Sequence, residues 1–150
     1  MSSPRLARGR FSEIGRIYSV TIVCHQRSRH FDVAVNVACF TQELQRLQDE
    51  DCVRNLAWVA MPDHVHWLFA LHEGTLAGGV SLLKGRSSRR SGELREANSP
   101  FWQPGYFDHA LRHDEALERY ARYLVENPLR AGLVSCPKEY PHWWLSLIHI

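Results

Sequence analysis

The order of strand and helix signals predicts an α+β fold, a ferredoxin-like split β-α-β in the order β-α-β-β-α-β-α, with an antiparallel sheet and an added C-terminal helix. Three observations carry this. β-Branched and aromatic runs recur along the chain, two of them are separated only by a short Pro-Asp turn, and apolar residues at helical spacing fill the other gaps.

Ile17-Tyr-Ser-Val-Thr-Ile-Val-Cys24 is the first strand. Asp32 is placed to cap a helix running to about Leu47, on which Val33, Val37, Phe40, Leu44 and Leu47 form one apolar stripe. Val53 to Ala60 and His64 to Leu71 read as a hairpin across Met61-Pro-Asp63. Leu76, Val80 and Leu83 support a second helix to about Arg90 despite Gly78, Gly79 and Gly85, while Ser87 to Pro100 is polar enough to be a mobile loop. Phe101 to Arg112 supplies a fourth strand, broken near Pro104-Gly105. Asp114 is placed to cap a third helix through Leu117, Tyr120, Ala121 and Leu124 that Pro128 ends.

Length and composition set the class. A chain of 150 residues with 45% hydrophobic and 23% charged residues is one ordinary globular domain, neither disordered nor fibrous. No apolar run approaches the ~18 to 20 residues that span a bilayer, and no secretory signal is visible, so a cytoplasmic, nucleoid-associated location is expected. Cys24, Cys39, Cys52 and Cys136 form no CxxC pair and read as thiols in a reducing compartment. Of 18 basic residues only Lys84 and Lys138 are lysines, and the formal net charge is +2. The charge is unevenly spread. Arg5, Arg8, Arg10, Arg16, Arg27 and Arg29 face a single acid, Glu13, before residue 31, and Lys84, Arg86, Arg89, Arg90 and Arg95 form a second cluster. Two basic clusters suit a polyanion, and equally a solvated surface.

His64 and His66 lie two apart in a strand, so their imidazoles leave the same face while Val65 leaves the other. Two nitrogen donors on one rigid element make half a metal site, although packed or surface histidines give the same pattern. Tyr123 and Asn127 are spaced i and i+4, stacking on one helical face. An amide oxygen can complete a divalent site, and a phenol can act as a nucleophile once a metal offsets its high pKa of about 10. A helix-face aromatic beside a helix-terminal Asn gives the same spacing.

Met61-Pro-Asp-His-Val-His66, Trp102-Gln-Pro-Gly-Tyr-Phe-Asp-His-Ala-Leu-Arg112 and Tyr123-Leu-Val-Glu-Asn-Pro-Leu-Arg-Ala-Gly-Leu-Val134 resemble, in order, the signatures of the REP-associated tyrosine transposases, a branch of the HUH single-tyrosine transposases. The resemblance spans roughly residues 10 to 141. It implies one HUH domain over 1–150, with a basic DNA-contacting segment at 1–16, core and catalytic helix at 17–128, and a tail at 129–150. It implies a metal-dependent enzyme that nicks and rejoins single-stranded DNA hairpins of the repetitive extragenic palindrome type, as a monomer or homodimer, through a 5′-phosphotyrosine. His64, His66 and Asn127 match the ligands of Mg2+ or Mn2+, and Tyr123 matches the nucleophile. Arg5, Arg8, Arg10 and Arg16 match the segment that touches sequence beside the hairpin. Lys84, Arg86, Arg89 and Arg90 are placed to follow the DNA backbone. Asp108, His109 and Arg112 match a stretch that either orients the site or holds the fourth strand. Two departures stand out: Asp63 replaces the usual Asn before the HUH pair, and the chain after Tyr140-Pro-His becomes an apolar tail. Two rival readings are a catalytically silent hairpin-binding protein and a histidine-triad phosphoesterase. The latter wants a further His where Leu68 stands.

Overall fold

The computed structural model describes residues 12–91, 99–112 and 116–146. Five strands, β1 (Ile17–Val23), β2 (Val53–Met61), β3 (His64–Leu71), β4 (Phe107–Ala110) and β5 (Trp143–Leu145), form one antiparallel sheet in the order β4-β1-β3-β2-β5. The first four have the order expected of the split β-α-β arrangement. β5 is an addition that the sequence reading left inside a tail. Helices α1 (Ala34–Asp49) and α2 (Leu76–Arg90) follow β1 and β3, and α3 (Leu117–Val125) is followed by the single turn α4 (Asn127–Arg130).

Strand alternation sorts the sheet into two faces. Tyr18, Val20, Ile22, Val65, Trp67 and Phe69 point toward α1 and α2, where Phe40, Leu44, Leu47, Val80 and Leu83 complete the main core. Each such side chain contributes about 1.5 to 3 kcal/mol when fully buried. Trp67 stacks on Phe69 with centroids 3.8 Å apart, and its indole N–H donates to Asn55 Oδ1 at 2.8 Å. Asn55 in turn donates to the Leu44 carbonyl, so the indole and this amide are paired beneath α1. The opposite face carries Leu56, Ala57, Val59, Met61 and Leu68, covered by Ala121, Leu124 and Val125 of α3. A register shift between Asn55 and Ala57 falls where the consecutive residues Leu56 and Ala57 both join this second core.

Several boundaries differ from the sequence reading. Asp32 does not cap α1: it lies in a 3-10 turn and accepts from Arg29 Nε at 2.7 Å, and Val33 holds the cap position with no side-chain bond. Thr75 caps α2 by accepting from Gly78 N. The stretch Ser87 to Arg90 is helical rather than loop, and Ser87 is buried between the Leu83 carbonyl and the Trp102 indole N–H; most of the remaining expected loop, and Asp114, lie outside the described residues. The fourth strand is cut to Phe107–Ala110, with Trp102 making only an isolated bridge to Cys24. Lys84 secures the intervening turn, donating from Nζ to the Gln103 and Gly105 carbonyls at 2.9 Å each, and its burial pushes the ammonium pKa down. Among the described residues no helix is long and apolar enough to cross a membrane.

Replacing Lys84 with Met leaves both carbonyls without their donor. The expected loss is about 2 kcal/mol of unfolding free energy, measured by urea titration.

Candidate functional site

His64 and His66 emerge from β3 on the α3 side of the sheet, together with Leu68, while Val65 and Trp67 enter the main core. The pair is held from both sides. His64 Nδ1 meets Asp63 Oδ1 at 2.7 Å, His66 Nδ1 meets Thr21 Oγ1 on the neighbouring β1 at 2.9 Å, and the two Nε2 atoms face each other at 3.2 Å. A carboxylate can only accept, so Asp63 fixes the His64 proton on Nδ1 while that ring is neutral and leaves the lone pair on Nε2. If His66 likewise donates to Thr21, two lone pairs point into one space. Ligands held about 2.1 Å from one ion sit about 3 to 3.5 Å apart, so the observed spacing suits chelation. Among the described residues no group of three His, Cys, Asp or Glu side chains gathers here, so a third donor must be of another type.

The electrostatics keep this pair available. Burial, then the neighbouring His64 and Arg130, lower the His66 pKa to about 3, so His66 is neutral at physiological pH. Burial alone would raise the Asp63 carboxyl, but bonds from His64 and Arg27 outweigh it and hold it below its ordinary value. Arg27 reaches Asp63 Oδ2 at 3.2 Å from a turn in which both Gln26 and Arg27 have φ near +50° (52° and 53°). Two adjacent non-glycine residues in the left-handed region cost energy, and that cost is accepted where the turn meets Asp63.

Helix α3 ends at Val125, earlier than the Pro128 stop expected from sequence, and Asn127 opens the separate turn α4. Tyr123 is 59% exposed and lies along a shallow groove with Arg119, Arg122 and Glu126. Asn127 donates from Nδ2 to the Leu124 carbonyl at 2.8 Å, and its Oδ1 accepts from Arg130 Nη2 at 2.8 Å. Tyr120 stacks on His109, which shares the sheet face of His66 through its register with Ser19. Asp108, paired with Val20, belongs to the opposite register and faces the main core; Arg112 follows β4 on the exposed surface.

Most of the other described candidates are engaged with partners outside the histidine pair. Arg16 donates to the Leu111 carbonyl and pairs with Glu13. Lys84 is the turn anchor described above. Arg86 pairs with Glu50 at 2.9 Å, and Arg90 binds the buried Glu43 and also Gln42, so both link α2 to α1. Arg89 remains on the exposed face. Arg5, Arg8 and Arg10 lie outside the described residues. The sequence reading missed Thr21, Arg27 and Arg130 as partners of the site. Thr21 had a signal in the alternation of β1, and Arg130 in its i+7 spacing from Tyr123.

Comparison with known proteins places the chain among similar ones. The family model described as "Transposase IS200 like" matches residues 15–127. The chain is 28% identical over 102 residues to the REP-associated tyrosine transposase of Escherichia coli, a match covering 62% of this chain and 53% of that protein. It is 26% identical over 143 residues to a Haemophilus influenzae protein provisionally given the same name, covering 85% of this chain and 78% of the other. A solved structure of a REP-associated tyrosine transposase bound to a REP hairpin shares the fold, with a TM-score of 0.74, 21% identity, and coverage of 89% of this chain and 79% of that one.

The low His66 pKa has a consequence for stability. Between about 3 and the ordinary value of 6.5 the unfolded chain binds a proton that the folded chain does not, so stability falls as pH drops through that window. Unfolding midpoints measured from pH 7 to pH 4 should decline, and His66→Gln should flatten that decline.

Proposed function

The chain belongs to the IS200-like transposase family, and from that membership we propose that it is a metal-dependent transposase and nickase, cleaving and rejoining single-stranded DNA at hairpin-forming repeats through a 5′-phosphotyrosine on Tyr123. The observation that carries the reading is the facing pair of Nε2 atoms on His64 and His66, with each opposite ring nitrogen already engaged. That is the arrangement by which proteins orient imidazole ligands and raise their basicity. The Asn127 amide oxygen would complete the donor set when Arg130 leaves it. The amide oxygen, with phosphate and water oxygens, would suit Mg2+ or Mn2+, and the two imidazoles favour Mn2+ of the pair. When bound, the cation supplies positive charge to the scissile phosphate.

The chain's own residues do the rest. Asp63 and Thr21 fix the two imidazole rings. The Tyr123 phenol oxygen attacks phosphorus in line as its proton passes to solvent. The bond from phosphorus to the 3′ oxygen breaks, and that oxygen takes up a proton to leave as a 3′-OH. The new phosphotyrosine ester retains the energy of the phosphodiester, so a second 3′-OH can displace Tyr123 by the reverse step without ATP. A hairpin as partner is supported by the relative solved with a REP hairpin.

Labelled single-stranded hairpins drawn from repeats of the host genome test this on denaturing gels. The wild-type chain should give a protein-linked band that EDTA abolishes, and Tyr123→Phe should give none. His64→Ala should lower its yield by at least about a hundredfold, the scale of a lost electrostatic stabiliser. A band that survives Tyr123→Phe or EDTA overturns the mechanism, and hairpin binding with no band from the wild-type chain makes it a binding protein instead.

A further inference from the structure

The junction between α3 and α4 meets two backbone acceptors of the last turn with two linked side chains. Pro128 has no N–H to offer the Leu124 carbonyl, and Asn127 Nδ2 takes that place at 2.8 Å. The Tyr123 carbonyl is met by Arg130 Nη2 at 2.6 Å, and the same nitrogen reaches Asn127 Oδ1 at 2.8 Å. The Arg130 guanidinium carbon also sits 3.5 Å from the centroid of the Tyr123 ring. One exposed cation therefore touches the proposed nucleophile on its ring and its backbone, and the proposed ligand on its amide oxygen. Among the described residues no carboxylate pairs with Arg130, in contrast to Arg86, Arg90 and Arg122, which are held by Glu50, Glu43 and Glu118. Arg119 adds a second exposed guanidinium one turn before Tyr123 along the same groove.

A guanidinium resting on neutral oxygens is poised for exchange. Hydrogen bonds to an anionic oxygen are roughly twice as strong as neutral ones, and the planar fork of Arg matches two oxygens of a phosphate. We propose that Arg130 is a phosphate-responsive clamp: without DNA it rests on one face of the Tyr123 ring and occupies the Asn127 amide oxygen, and a backbone phosphate of single-stranded DNA draws it away and frees both. This rests on the assignment of Tyr123 and Asn127 above and deepens it. Arg130 thereby binds substrate and sets the resting position of the two residues before it in the motif. Binding of the strand and readiness of the phenol become one event.

Two measurements in EDTA, neither of which requires strand cleavage, test the clamp on the full chain. The first is acetylation of Tyr123 by N-acetylimidazole in the absence of DNA, followed residue by residue by mass spectrometry, with Tyr120 as the internal control for an intact helix. The second is the salt dependence of binding to a fluorescein-labelled oligothymidylate. Arg130→Gln should raise the Tyr123 rate several-fold with Tyr120 unchanged, and should lower the log–log salt slope by about 0.7, the value of one phosphate contact on a single strand. Arg130→Lys should keep the slope, since the charge remains, while losing part of the shielding. The clamp is overturned if Arg130→Gln leaves either the Tyr123 rate or the slope at its wild-type value. An active nickase can fail these tests and a chain that never cleaves can pass them, so the clamp and the reaction are judged separately.

Discussion

Everything at the site depends on the strict two-residue period of β3. Val65, Trp67 and Phe69 are driven into the core beneath α1 and α2, and that burial fixes the strand's register against β1 and β2. His64 and His66 are then presented to the other face with no freedom to turn away. A slip of one residue would drive both imidazoles into the apolar main core and turn Trp67 and Phe69 out of it toward α3, at a cost of several kcal/mol. The hydrophobic core is thus what positions the polar pair, and Thr21 and Asp63 only refine the ring angles.

The helix that covers this face carries two obligations at once. Asn127 and Arg130 satisfy carbonyls left open where the chain breaks before Pro128, a structural duty that any helix end imposes. The same side chains hold the acceptor and the cation that the proposed chemistry uses. The two roles are compatible because an amide has two ends: Nδ2 serves the Leu124 carbonyl while Oδ1 points outward to Arg130. A carboxylate at position 127 would have no donor for Leu124.

Features legible in the sequence were those set by neighbours in the chain. The HxH pair, the hairpin around Pro62-Asp63 and the stripe of α1 follow from local periodicity; the structure keeps the pair, the hairpin and the stripe from Val37 to Leu47, while Val33 stands exposed at the cap. What was not legible depends on distant partners. Arg86 and Arg90 look like free positive charge because their acids lie 36 and 47 residues earlier, Glu50 just past the end of α1 and Glu43 on it. Asp32 looks like a cap until Arg29 takes its oxygens. Three residues, Trp143–Leu145, are too few to show an alternation, and their strand exists only because the β2 edge is there to pair with. Arg130 was passed over because a proline two residues earlier reads as the end of the helix, whereas the chain resumes a helical turn through it.

That short fifth strand has a wider consequence. Without it the nine residues of β2 would offer a long row of open backbone groups, the kind of border on which other chains add strands and precipitate. β5 covers the middle three residues of β2, Ala57 to Val59, and β4 covers four residues of β1 at the opposite rim, Tyr18 to Thr21. Strands this short at the two rims give another copy little regular backbone on which to extend the sheet.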